Sequence, residues 1–165
     1  MSTAAESPFI HRNLPRLLLQ AREAVLLHFR PNLRKHGLTD QQWRVLRVLA
    51  ERGKCDVATI AEEAYLLGPS LTGVLTRMER DGLLVRERDA SDARRQIIKH
   101  TAKGKRMATK LAQSIEAHYA TMEAALGKPQ LAQLYELLDK LIGIQSSDEV
   151  AQATIAPKKR SKKAA

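Results

Sequence analysis

Cysteine is nearly absent. Cys55 is the single one in 165 residues, which excludes an intramolecular disulfide and a thiolate-rich metal site. Long apolar runs are missing as well: no stretch approaches the roughly 18 residues of a membrane span. The opening MSTAAESPFIHRNLP lacks the basic and apolar regions of a secretory leader, so the expectation is a cytoplasmic protein with no membrane partner. The eight glycines compose neither GxGxxG nor GxxxxGK[ST], the loops that cradle phosphates. His11, His28, His36, His100 and His118 form no HExxH and keep no metal-ligand spacing. No enzyme, cofactor or metal is therefore expected.

Acidic residues are the remaining shortage. Asp plus Glu number 18 against 28 Lys plus Arg, a formal charge of +10, and such an imbalance points to an anionic partner, nucleic acid or a membrane surface. An apolar fraction of 44% is enough for a real core, and the length fits one domain, or one domain plus an arm.

What is present reads mostly as helix. Leu14, Leu17, Leu18, Ala21, Val25, Phe29 and Leu33 recur at spacings of three and four, one face of a long helix from Asn13 to Lys35. Leu19, Leu26 and Leu27 widen its apolar surface beyond what a small domain can cover, and a second subunit is the economical cover. In LTDQQW, Thr39 and Gln42 have the spacing of a capping box, opening a helix that turns Trp43, Leu46 and Leu49 inward and ends near Gly53. Asp56 caps a third helix, VATIAEEAYLL. Gly68-Pro69 restarts the chain as SLTGVLTRMERDGLL, with Leu71, Val74, Leu75 and Met78 on one face and a stop at Gly82.

After Leu83-Leu84-Val85-Arg86 comes RDASDARRQIIKHTAKGK. Asp89-Ala90-Ser91-Asp92 has turn chemistry and Gln96 to His100 the composition of a strand, so Arg94 and Arg95 sit at or beside a hairpin tip. Three short helices followed by a hairpin have the order of a helix-turn-helix with a β-wing. Ser70, Thr72, Gly73, Thr76, Arg77 and Arg80 fall off the core face of the last of these three helices, the one that follows Gly68-Pro69. Small hydroxyls and a glycine let a backbone approach a groove floor, and Arg77 can reach a guanine edge or a phosphate. The bland reading is a solvated helix face; the adjoining wing and the basic charge favour DNA.

LTDQQWRVLRVL, VATIAEEAYLLGPSLTGVLTRMERDGLLVRERD and DASDARRQIIKHTAKG together resemble the winged-helix core of MarR-family transcriptional regulators. The family wing reads approximately Asp-Pro-x-Asp-Arg-Arg, a strand, then Leu-Thr-x-x-Gly. This chain supplies Asp89, Asp92, Arg94, Thr101 and Gly104 at matching spacing and departs at Ala90, Ala93 and His100. The resemblance implies that Asp92 braces Arg94 and that Arg94 enters the minor groove, where narrow A·T-rich segments concentrate negative potential.

It also implies the architecture. The fold class expected is mainly α: a winged helix-turn-helix DNA-binding domain over residues 37–101, with a helical dimerisation domain formed by the N- and C-terminal helices. Residues 1–36 are the arm and first dimerisation helix, 102–145 the C-terminal dimerisation helices, and 146–165 a disordered basic tail. Thr101 caps AKGKRMATKLAQSIEAHYATMEAAL, Gly127 closes it, and Pro129 stands at the start of QLAQLYELLDKLIGI. In similar regulators the first, fifth and sixth helices pair with those of a partner subunit, so that two wings straddle a pseudo-palindromic operator. In the tail, Lys158, Lys159, Arg160, Lys162 and Lys163 add either DNA affinity or solubility.

The stretch HRNLPRLLLQAREAVLLHFRPNLRKHGLTDQQWRVLRVLAE is similar to the homoprotocatechuate-degradation branch of that family, which responds to small aromatic acids. The resemblance places the ligand where the first helix meets the start of the second: Arg16 for a carboxylate, His11 and Asn13 for ring substituents, Trp43 for stacking. Each also has a plain reading, as surface charge, arm residue, N-cap and core respectively. Two rival functions remain open: an architectural DNA binder without an effector, and a redox sensor through Cys55, whose thiolate the neighbouring Lys54 would favour.

Overall fold

The computed structural model describes residues 10–89, 92 and 94–152, with side chains as far as residue 144. Ala90, Ser91 and Ala93 of the expected wing turn, and the five tail cations, lie outside the described residues. The chain divides into two compact units, the first ending at His118 and the second beginning at Tyr119.

In the first unit, α1 (Leu14–Lys35) starts where Asn13 Oδ1 accepts from the Arg16 N–H at 2.9 Å, an N-cap with Pro15 in the first turn. It ends on Gly37, whose φ of 68° allows the reversal that brings Leu38 N–H to Leu33 O at 3.0 Å and Gly37 N–H to Arg34 O at 2.9 Å. Those two bonds and the burial of both Leu33 and Leu38 make a Schellman stop. Only Phe29 and Leu33 of this helix are buried; Leu14, Leu18, Leu19 and Leu27 are exposed. The capping box is formed at α2 (Asp40–Arg52), with Thr39 N–H donating to Gln42 Oε1 at 2.9 Å and Gln42 N–H to Thr39 Oγ1 at 3.2 Å.

The short strand β1 (Lys54–Asp56) follows. It was not legible as a strand, because three residues carry no period. Asp56 Oδ1 accepts from Thr59 N–H at 2.8 Å and opens α3 (Val57–Glu63). The sequence expectation ran this helix through Tyr65, Leu66 and Leu67. The structure stops it at Glu63, since Leu66 is drawn into the core and its N–H turns back to Ala61 O at 2.9 Å. Tyr65 takes the left-handed position of that stop, φ 49°, a place usually given to glycine. Arg44 fastens the same turn, donating to Ala64 O at 2.5 Å and Tyr65 O at 3.1 Å.

Next come α4 (Gly68–Arg80), β2 (Leu84–Arg88) and β3 (Gln96–His100). β3 lies between the other strands, antiparallel to both, and Ile98 is opposite Cys55 on one side and Arg86 on the other. Leu46, Leu49, Ile60, Leu71, Val74, Leu75, Met78, Leu84, Ile98 and Leu111 belong to one buried cluster beneath the sheet and helices. Each such side chain contributes about 1.5–3 kcal/mol by leaving water. Thr101 opens α5 (Ala102–Leu126): its hydroxyl donates to Gly82 O at 2.6 Å and accepts from Gly104 N–H at 3.0 Å.

The unit boundary falls within α5, and the second unit takes its last turns and α6 (Lys128–Gln152), separated by Gly127 at φ 91°. Leu134, Tyr135, Leu137, Ile142 and Ile144 of α6 are exposed. α6 continues to Gln152, into the segment expected as tail. Among the described residues no helix is long and apolar enough to cross a membrane.

Candidate nucleic-acid interface

The helical period of α4 separates two faces. Leu71, Val74, Leu75 and Met78 are completely buried, which turns Ser70, Thr72, Thr76, Arg77 and Arg80 outward and leaves Gly73 half-buried. Thr72 Oγ1 donates to Gly68 O at 3.2 Å and Thr76 Oγ1 to Thr72 O at 2.9 Å; both hydroxyls have spent their protons on the helix and offer only acceptors outward. A Cβ on Gly73 would stand 3.4 Å from an Arg77 guanidinium nitrogen, so that side chain lies back over the preceding turn of the helix. Among the described residues no carboxylate pairs with Arg77, whereas Arg80 Nε is 3.0 Å from Asp81.

Sequence reasoning passed over Arg86. From β2 its guanidinium donates to Thr76 Oγ1 at 3.2 Å and stands 2.9 Å from Glu79 Oε2, tying the sheet to the outer half of α4. The signal was available: Arg86 is two residues from the buried Leu84 and shares its side of the strand, where an arginine has to find partners. Thr76, expected to face DNA, is thus already engaged by a neighbour.

In the wing the expected pair of cations divides. Asp92 Oδ1 accepts from the Arg94 backbone N–H at 3.0 Å, and Arg95 N–H donates to Asp92 O at 2.9 Å, so Asp92 shapes the turn that carries Arg94. Arg94 is exposed. Arg95 turns instead to Asp56 and forms an ion pair with it. The Asp56 carboxyl is lowered to about 2, first by the Thr59 backbone N–H, then by Arg95 and the Thr59 hydroxyl.

The residues proposed for an aromatic acid are not gathered in the same way. His11, Asn13 and Arg16 are exposed at the start of α1, with Asn13 occupied as N-cap, and Trp43 packs half-buried against the core. Cys55 is half-buried, and burial pushes its thiol up, with the Glu63 and Asp56 carboxylates acting in the same direction and Arg52 against them. That is the opposite of the favoured thiolate expected beside Lys54.

A polar outer face on α4, a strand arginine that braces it and an exposed cation on the hairpin turn have the order and chemistry of a winged helix. Residues 36–95 match the family model described as MarR family. The homoprotocatechuate degradative operon repressor of Escherichia coli is 42% identical over 138 residues, 84% of this chain and 93% of that protein. The chain belongs to the MarR family. The HTH-type transcriptional regulator FarR of Neisseria gonorrhoeae is another relative, 41% identical over 130 residues, 79% of this chain and 89% of FarR. The crystal structure of NadR in complex with 4-hydroxyphenylacetate superposes with a TM-score of 0.75 at 40% identity, covering 82% of this chain and 96% of NadR. The protein is thus a MarR-type transcriptional regulator with a winged-helix fold, and these relatives are regulators, not enzymes.

Proposed function

We propose that the protein is a homodimeric repressor that holds a pseudo-palindromic DNA operator and releases it when a small aromatic carboxylate binds. The observation that carries the reading is the α4 face with Arg77 outward, together with an exposed Arg94 on the wing, in a chain 42% identical to a homoprotocatechuate degradative operon repressor. The exposed leucines of α1 supply apolar surface for a partner subunit. The exposed leucines and isoleucines of α6 do the same in the second unit. A dimer presents two copies of α4, which fit successive major grooves when their spacing matches one turn of B-DNA, about 34 Å.

The effector class follows from the solved relative that holds 4-hydroxyphenylacetate together with the cation Arg16 at the start of an apolar helix. An acid that binds one separation of the two winged domains better than the other shifts operator affinity by no more than that preference. A tenfold preference amounts to about 1.4 kcal/mol.

The experiment is a fluorescence-anisotropy titration of the chain's own promoter DNA and a scrambled duplex, with and without 4-hydroxyphenylacetate. Tight binding to the promoter alone, weakened by the acid in the parent and not in Arg16→Ala, supports the proposal. Equal affinity for both duplexes, insensitive to the acid, would establish the rival reading of an architectural DNA binder.

A further inference from the structure

A cleft of about 660 Å³ opens between the end of α2, the first turns of α5 and the adjoining ends of β1 and β3. It draws no residue from α1 or from the start of α2, and so stands apart from His11, Arg16 and Trp43. Its size is within the range of about 300–1,000 Å³ typical of small-molecule sites. The side chains of Ala50, Ala108 and Ala112 line it, short enough for a flat apolar body to lie between the two helices.

The charges around it are all of one sign. Arg52, Lys54, Lys99 and Lys105 line the cleft and no carboxylate does. Two of them are neutralised from outside, Arg52 by Glu63 and Lys99 by Glu87 at 2.5 Å. Among the described residues no carboxylate pairs with Lys54 or Lys105. The strand register adds an independent cost: Lys54 and Lys99 are direct partners across β1 and β3, and like charges placed opposite one another destabilise a sheet. Glu87 offsets the charge of Lys99, and an anion at Lys54 offsets that of its partner. His100 also lines the cleft, with Nε2 donating to Leu46 O at 3.1 Å. Burial lowers its pKa, which keeps the imidazole neutral and leaves the positive field to the lysines.

We infer that this cleft is a second small-molecule site, for an amphipathic monoanion whose carboxylate lies between Lys54 and Lys105 and whose flat apolar body rests on Ala50, Ala108 and Ala112. The inference concerns binding to the free protein and does not depend on the operator or on the acid bound near Arg16. Its volume suits a two-ring acid, so 2-naphthoate is the probe and its uncharged counterpart 2-naphthamide the control.

Isothermal titration of the full-length protein should show saturable binding of 2-naphthoate. The amide should bind about tenfold more weakly, as should 2-naphthoate itself to the Lys54→Met/Lys105→Met double variant, each having lost the charge-assisted contact. Ala112→Phe, which fills the cleft from an exposed position, should abolish binding while leaving the melting temperature close to the parent's. Arg16→Ala should bind 2-naphthoate as the parent does. Absence of saturation at millimolar 2-naphthoate, equal affinity for acid and amide, undiminished binding by the double variant, or loss of binding in Arg16→Ala would each overturn the inference.

Discussion

Arg95, at the foot of the wing, is ion-paired with Asp56, which caps α3 from 39 positions earlier in the chain. One carboxylate therefore starts a helix of the winged-helix unit and anchors the strand that carries the wing. The pairing separates the roles of two adjacent arginines: Arg94 remains outward, and Arg95 fixes the platform from which it projects.

The Asp56 carboxyl, held at about 2 in the folded chain, lies below the roughly 3.9 of an unfolded aspartate. The charged form is thus favoured by folding, and its contribution is complete above about pH 5 and lost as the pH falls through about 4 towards 2. Asp56→Asn retains an acceptor for the cap but no charge. Denaturant midpoints at pH 6 and pH 3 should fall less steeply for the variant than for the parent; identical pH profiles would show that the carboxylate gains nothing from its neighbours.

Arg94→Ala and Arg95→Ala should differ in kind. The first removes an exposed cation and no core contact, so it should weaken promoter binding, and a phosphate contact would appear as a salt slope reduced by about 1. The second should lower stability as well, through the loss of the Asp56 pair. Melting curves and salt-dependent anisotropy on both proteins make the comparison, and equal melting temperatures would contradict it.

On α4, Arg77→Ala should cost about 1–3 kcal/mol of promoter binding if the guanidinium makes a bidentate base contact. Loss of equal size on promoter and scrambled DNA would assign it to the backbone. Thr76→Val should cost little beyond its effect on Arg86, because the hydroxyl proton is already given to Thr72 O. Arg86→Ala, in contrast, leaves Glu79 and Thr76 without their strand partner and should weaken specific binding about tenfold, or about 1.4 kcal/mol. Circular dichroism should show the helices intact; unaltered promoter affinity would exclude the bracing role.

Gly104 is the position where an added methyl group should be least tolerated. A Cβ there would stand 1.9 Å from Leu83 O and 2.9 Å from Leu83 C, so α5 would have to move away from the turn that precedes β2. Gly104→Ala should cost at least the about 1–3 kcal/mol of an overpacked site, read as a lowered midpoint in chemical denaturation. An unchanged midpoint would mean that α5 shifts freely.

The sequence by itself determined the elements whose cause is local. The capping box at Thr39 and Gln42, the cap at Asp56, the buried face of α4 and the hairpin strands each follow from side chains a few positions apart, through hydrogen bonding or through periods of 3.6 and 2. The outward side of α4 was legible for the same reason, being whatever the core-facing period left over. Tertiary structure decided what depends on distant partners. α3 ends early because Leu66 is needed in the core, although neither glycine nor proline marks the stop. β1 exists because β3 pairs with it. Arg86 and Thr76 become partners only when the sheet meets α4, and Arg94 and Arg95, adjacent and chemically alike, divide because Asp56 stands within reach of one of them. A charged side chain's role is set by the nearest opposite charge in space, which periodicity cannot supply.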